Sequence, residues 1–205
     1  MKKQTLFMIG LATLLAAATQ ASQEQLARSI GDTRLETSRT DAQLKATLEA
    51  INALTKQTKG DLRPAYNTYC SEVAKTEAAA GWTKTRIQWM AMDGRKYFED
   101  WQSTVNSIAN ESLRKKSQKR LNAVKVSYDK VEASLKVAGD KFKPFLSDLA
   151  DIQKALSTDV TAGGVKAIKS TVRSANWNHQ YVDNAIKSAL KEMGKMQEAL
   201  SSAAK

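Results

Sequence analysis

Long runs of apolar residues at alternating steps of three and four are the feature that most constrains this chain. Every step of such a run is three or four over residues 62–108, and the same holds over 113–156 and 165–200. This spacing places the apolar side chains on one face of an α-helix, as in coiled coils. With only two prolines in 205 residues, the pattern predicts long helices and gives strands little support.

Turn and capping residues divide the runs into four helices. Lys59-Gly60-Asp61 indicates a turn, Pro64 is well tolerated in the first turn of a second helix, and Asn110 is a favourable N-cap for a third. Residues 157–164 form the clearest loop, before the fourth helix.

The apolar phase passes unbroken through Gly94 and Pro144. Both are therefore predicted to lie inside helices, with a kink near Asp140 to Lys143, just before Pro144. The expected fold class is all-α: an elongated antiparallel bundle of four long coiled-coil-like helices, because short connections make neighbouring helices antiparallel.

The first helix, over residues 22–57, has the weakest pattern. Thr33 and Thr37 occupy positions of the apolar seam, and Gly31 lies beside them. Residues 22–40 are therefore expected to fray or form a separate segment. Residues 22–205 as a whole are predicted to form a single helical-bundle domain.

The N-terminus carries the pattern of a signal peptide. Lys2 and Lys3 supply positive charge, residues 6–18 are apolar, and Thr19-Gln20-Ala21 offers the small-x-small pattern of a cleavage site. We predict cleavage after Ala21 and a periplasmic location. The apolar run is shorter than the roughly 20 residues that a membrane span needs, which argues against an uncleaved anchor.

Cys70 is the only cysteine. No cysteine follows the apolar run directly, so a lipid anchor is not expected, and no intramolecular disulfide is available to an exported chain. A small buried side chain is the favoured interpretation of Cys70, and a reactive or intermolecular thiol is the alternative.

Positive charge is concentrated in the third helix. The chain has a net charge of +11, and residues 111–156 contain eleven basic and six acidic residues. At about 100° per residue, four basic side chains of one short run share a face. These side chains are Lys115, Lys116, Lys119 and Arg120. The basic face suits an anionic envelope polymer or lipid surface, whereas a solvated outer face is the simpler alternative. Nucleic acid is not favoured as a partner of an exported protein.

Three tryptophans lie one position to the side of a seam. Trp82 and Trp89 are seven residues apart, and core packing is the favoured interpretation for both, with a partner-binding patch as the alternative. Trp177 lies between Asn176 and Asn178, and these polar neighbours make it the best candidate for an exposed binding residue.

Catalytic and metal-binding chemistry finds no support. His179, the only histidine, occupies a seam position and is predicted to be structural. A metal site would need several ligands, and the carboxylates are dispersed, so neither metal nor cofactor is expected. No nucleophile and base occur at a recognisable spacing, so we do not expect an enzyme.

Several short motifs follow one another along the chain: Tyr97-Phe98-Glu99-Asp100-Trp101, Ser112-Leu113-Arg114, Lys143-Pro144-Phe145-Leu146 and Ala167-Ile168. In these motifs the chain resembles a family of secreted bacterial helical proteins labelled domain of unknown function 2959, over about residues 30–200. The resemblance implies helical structure and a Gram-negative envelope location, and it carries no catalytic residues. This chain differs from many members in its basic charge and in lacking a lipoprotein signal.

These features predict a non-enzymatic, exported cell-envelope protein that acts as a helical interaction or scaffold module. Its partner would be a protein, either a second copy or another envelope protein, because long heptad helices are common association surfaces. The alternative function is binding of anionic envelope polymer or lipid through the basic face of the third helix.

Overall fold

The computed structural model describes residues 2–57 and 59–202, with side chains for 14–57 and 59–201. It contains four α-helices: α1 (Lys2–Lys56), α2 (Arg63–Asn106), α3 (Glu111–Thr158) and α4 (Ala162–Ser202). These two described ranges hold no strand. The all-α bundle predicted from the apolar spacing is therefore confirmed.

The helix ends show why the chain turns where it does. Gly60 has a φ of 85°, a left-handed conformation that glycine adopts without steric cost, and this residue allows the turn before α2. At the start of α3, Asn110 Oδ1 accepts a hydrogen bond from the Leu113 backbone N–H at 3.0 Å. The predicted turn at Gly60 and the predicted N-cap at Asn110 are both confirmed.

The connection between α3 and α4 is shorter than predicted. The prediction placed a loop at residues 157–164, whereas only 159–161 separate the two helices. The Gly164 N–H donates to the Thr161 hydroxyl at 3.3 Å, so Thr161 caps α4 and both glycines fall within the first turn. The sequence-based bounds were wrong here because the glycines were interpreted as part of the loop.

The early part of the chain belongs to one continuous helix. α1 runs unbroken from Lys2 to Lys56, so residues 22–40 are helical, where the sequence favoured a frayed or separate segment. The predicted signal peptide lies within α1, but Met1 and the side chains of residues 2–13 lie outside the described part. Cleavage after Ala21 stays a prediction.

The helices form two compact units, and each helix contributes a segment to each. Unit 1 comprises the described residues of Met1–Arg34, Arg86–Ala133 and Lys191–Lys205. Unit 2 comprises those of Leu35–Thr85 and Ser134–Leu190. Both units contain α1 and α2 in antiparallel pairing, as the next contacts show.

Threonine hydroxyls pair α1 with α2 in each unit. In unit 1 the Thr19 and Thr104 hydroxyl oxygens are 2.8 Å apart. In unit 2 the same kind of pair joins Thr40 to Thr83 at 2.8 Å and Thr47 to Thr76 at 2.7 Å. Because each hydroxyl has a partner, these polar side chains occupy seam positions without the cost of an unsatisfied buried group.

Unit 2 has the apolar core that the seam predicted. Its fully buried side chains include Tyr69 and Phe145, and the Tyr69 hydroxyl donates to the Leu149 carbonyl of α3 at 2.6 Å. α3 continues through Pro144, as the unbroken apolar phase predicted. The other members of this core are contributed by all four helices: Leu44, Leu48, Ile51, Leu54, Leu62, Val73, Ala138, Ile152, Leu156, Val165, Ile168, Val172, Ala175, Val182 and Ile186.

In unit 1, α2 continues through Gly94, and a tyrosine of α3 lies directly against this glycine. A Cβ atom added at Gly94 would lie 2.4 Å from the Tyr128 hydroxyl oxygen. That hydroxyl donates to the Met90 carbonyl at 3.0 Å, so the buried ring is held in place. Gly94 is thus a site of close helix approach rather than a turn.

Candidate interaction surfaces

The basic face of α3 consists of Lys115, Lys116, Lys119 and Arg120, all of them exposed. The Lys115 ammonium lies 2.7 Å from Glu111 one turn earlier, so its charge is partly neutralised. Among the described residues, the other three make no ion pair. The structure therefore gathers this predicted set on one solvated face.

Trp177 lies on the outer side of α4 and is 60 % exposed, as expected for a candidate binding residue. It packs against Tyr181, one turn later, with ring centroids 6.2 Å apart and planes at 71°. Tyr181 is itself 50 % exposed. Its contribution was missed, although the four-residue spacing from Trp177 was a signal for it.

Trp82 and Trp89 are not core residues. Their exposed fractions are 62 % and 47 %, so the favoured interpretation of core packing was wrong for both. A residue that lies one position to the side of the seam is buried only if a neighbouring helix covers that side. The neighbouring seam residues face the interior instead: Met90 is buried and Thr83 is half-buried.

Trp89 lines a surface groove between α1 and α2 of unit 1, with a volume of about 270 Å³. The Arg86 guanidinium lies 5.0 Å from the centroid of the Trp89 ring and forms an ion pair with Asp32 of α1 at 3.2 Å. Across the groove, Asp93 accepts a hydrogen bond from the Ser29 hydroxyl. The residues that line the groove are Gln25, Arg28, Ser29, Asp32, Arg86, Trp89, Met92 and Asp93.

His179 is half-buried in unit 2, with its ring centroid 5.9 Å from that of Phe145. Its Nε2 is buried and has no hydrogen-bond partner among the described residues. Burial lowers the pKa of His179, although the nearby carboxylates of Asp183 and Asp41 act in the opposite direction. The imidazole is therefore neutral at pH 7, which fits a packing role.

Cys70 is a half-buried free thiol on α2. Burial and the adjacent thiol raise the pKa of Tyr66 to about 12. Within the described ranges no three His, Cys, Asp or Glu side chains lie close enough to hold a metal ion. In the same part of the chain, none of the helices combines the length and apolar character that a membrane span requires.

Comparison with known proteins gives a family but no function. A family model described as "Protein of unknown function (DUF2959)" matches residues 17–200. No curated protein matches the chain. The match covers α2 and α3, most of α1 and nearly all of α4, and it includes every interaction surface described above.

Proposed function

The chain belongs to the DUF2959 family of proteins of unknown function, and we propose that it is a non-enzymatic helical interaction module of the cell envelope. Its partner is a protein, either a second copy or another envelope protein. The observation that carries this proposal is the stacked Arg86–Trp89 pair in the groove between α1 and α2.

Tryptophan and arginine are the residue types that most often dominate the free energy of protein association. Here the guanidinium already lies over the indole in the free protein and forms an ion pair with Asp32 of α1. A partner would therefore order few side chains on binding, and the entropic cost of association would be small. Met92, 58 % exposed beside the groove, adds adaptable apolar surface.

Photo-crosslinking in the native cell tests this proposal. A photoreactive residue replaces Met92, and the matched control replaces Val126 of α3, which is 55 % exposed. We expect a discrete protein adduct from position 92 and none from position 126, with an adduct of twice the chain's mass indicating a second copy. Trp89→Ala should abolish the adduct, whereas Trp82→Ala should retain it. Equal adducts from both positions would refute the groove as the interface.

The proposed envelope location depends on the N-terminal pattern of Lys2, Lys3, the apolar residues 6–18 and the cleavage pattern at 19–21. Export places the module where its partner would be an envelope protein. Cell fractionation with a cytoplasmic marker tests the location independently of binding. Recovery of the chain with the cytoplasmic marker would refute it.

A second candidate function is binding of an anionic envelope polymer through the basic face of α3. It is favoured by Lys116, Lys119 and Arg120, which are exposed and make no ion pair with the described residues. Such binding should weaken steeply as salt rises. Binding releases counterions from the polymer, and this release gains less entropy when the solution already contains many ions. Replacing Lys115, Lys116, Lys119 and Arg120 by glutamine should abolish it. Unchanged binding by that variant would refute this function.

A further inference from the structure

α4 carries a second cationic surface, distinct from the basic face of α3, in which positive charge is combined with aromatic rings. We define this stripe by five exposed residues of unit 2: Lys166, Lys169, Arg173, Trp177 and Tyr181. We propose that the stripe docks the protein onto the surface of an anionic phospholipid bilayer.

The five side chains point in one direction. At 3.6 residues per turn, their directions around α4 fall within about 120° of one another. They extend about 22 Å along the helix at 1.5 Å per residue. The opposite side of α4 packs into the core of unit 2, with Val165, Ile168, Val172, Ala175 and Val182 buried.

The charge of the stripe is of one sign. Between Ala162 and Lys187, α4 contains one acidic residue, Asp183, which is half-buried. The Asp183 carboxylate is neutralised by Lys45 of α1 at 3.4 Å and by Lys187 at 2.5 Å, and the hydrogen bond from Lys187 lowers its pKa. Lys166, Lys169 and Arg173 make no ion pair among the described residues. The stripe therefore presents uncompensated positive charge, which complements an anionic surface.

The aromatic pair favours a bilayer over a dissolved polyanion. Trp and Tyr rings have an apolar body and a polar edge, and they concentrate at the headgroup level of membranes, where Lys and Arg extend towards the phosphates. Trp177 and Tyr181 follow the three cations along α4, towards its C-terminus, on the outer side of the helix. A row of side chains on the outside of a helix can contact a flat membrane surface. Nucleic acid recognition would instead use rings that are free to stack with bases, whereas Tyr181 packs edge to face against Trp177.

The inference does not depend on the proposed function, because the groove between α1 and α2 uses other residues. Trp89→Ala should lose its crosslinked partner and still bind vesicles as the unchanged chain does. Failure of the groove and failure of the stripe are therefore separately observable.

The test uses the full chain with Trp82, Trp89 and Trp101 replaced by phenylalanine, so that Trp177 is the only tryptophan, and it is excited at a wavelength that tyrosine does not absorb. Vesicles contain equal parts of phosphatidylcholine and brominated phosphatidylglycerol, and the reference vesicles contain brominated phosphatidylcholine alone. We expect quenching of Trp177 by the anionic vesicles only. The matched control retains Trp82 alone, which is 62 % exposed on α2, and should show little quenching.

Variants then assign the binding to the stripe. Replacing Lys166, Lys169 and Arg173 by glutamine should weaken vesicle binding on the order of 100-fold, since each cation near an anionic surface contributes about 1 kcal/mol, or roughly fivefold. Trp177→Ala should weaken binding about tenfold. Replacing Lys115, Lys116 and Lys119 of α3 by glutamine removes the same charge elsewhere and should change binding by less than about twofold.

Four results would overturn the proposal. Trp177 could be quenched no more than Trp82. The α4 glutamine variant could bind vesicles as tightly as the unchanged chain, or the α3 variant could lose binding instead. Finally, soluble polyphosphate could prevent all binding of the protein to vesicles while Trp177 is never quenched by the brominated lipid. That result would show that the stripe binds dissolved polyanions rather than a bilayer.

Discussion

Replacing Gly94 by alanine should destabilise this protein, although the same change at Gly81 or Gly139 should stabilise it. Alanine is favoured over glycine in a helix interior by about 1 kcal/mol. At Gly94, however, the added Cβ would lie 2.4 Å from the Tyr128 hydroxyl oxygen and 2.5 Å from its Cζ. No side chain tolerates such distances, so the buried Tyr128 ring must move.

The cost has two sources. Overpacking of a buried ring costs about 1–3 kcal/mol. Displacement of the ring also breaks the hydrogen bond from the Tyr128 hydroxyl to the Met90 carbonyl, which contributes about 1 kcal/mol. Against the helical gain of about 1 kcal/mol, Gly94→Ala should lower the free energy of unfolding by about 1–3 kcal/mol.

Gly81 of α2 and Gly139 of α3 are the matched controls, since a Cβ added at either would have no neighbour within 4 Å. Each alanine variant should raise the free energy of unfolding by about 0.5–1 kcal/mol. Urea titration followed by circular dichroism measures all three variants. In a Tyr128→Leu background the penalty at Gly94 should shrink by about 2 kcal/mol. If Gly94→Ala stabilised the chain as the controls do, the close approach of α2 and α3 would be refuted.

Three further predictions test the leader, the α3–α4 connection and the histidine. Mass spectrometry of the chain isolated from the envelope should show an N-terminus at Ser22, and an intact leader would contradict export by cleavage. Gly164→Ala should lower the unfolding free energy by at least about 2 kcal/mol in a urea titration, because its Cβ would lie 2.0 Å from the immobile Asp159 carbonyl oxygen, whereas Gly163→Ala should be tolerated. His179 has a lowered pKa in the fold, so the unfolded chain binds more protons below about pH 6.5 and stability should fall from pH 7 towards pH 5. The His179→Leu variant should lack this dependence, and an equal loss in both proteins would show that another group titrates.

The apolar spacing was sufficient to predict the helices and most of the core. Tyr69, Tyr97 and Phe145 lie on the predicted seams and are at most 2 % exposed. Gly94 and Pro144 lie inside helices, as the continuous phase predicted, because burial along a whole helix outweighs one unfavourable residue.

The threonines of α1 were harder to interpret. A polar residue on the apolar seam of a single helix is expected to destabilise packing. Whether it does so depends on the residue that faces it on the neighbouring helix. Thr40 is stable in the interior because Thr83 of α2 lies opposite, and that pairing is set by the turn length and the register between helices. The sequence alone does not show which residues of two helices lie opposite each other. The helix over residues 22–40 was therefore expected to be less stable than it is.

The candidate surfaces were predicted only in part. Exposure of Lys116 and Trp177 follows from their position away from the seam, and the structure agrees. The groove at Trp89 was missed because Asp32 and Arg86 are 54 residues apart and meet only when α1 and α2 pack together. The stripe on α4 was missed because the sequence does not show that the carboxylate of Asp183 is half-buried and paired with Lys45 and Lys187.

The paired threonine hydroxyls also determine which heptad of α1 aligns with which heptad of α2. A uniform leucine seam would tolerate a slip of seven residues, since every layer would again be apolar. Because the two layers are seven residues apart, such a slip in unit 2 would re-form one threonine pair, but it would place Thr47 opposite Tyr69 in one direction, or Thr76 opposite Leu54 in the other. Each misaligned state would leave a buried hydroxyl without its partner, at a cost of about 1–3 kcal/mol. Two small polar layers thus favour one alignment of two otherwise repetitive helices, in the way that a buried asparagine does in a coiled coil.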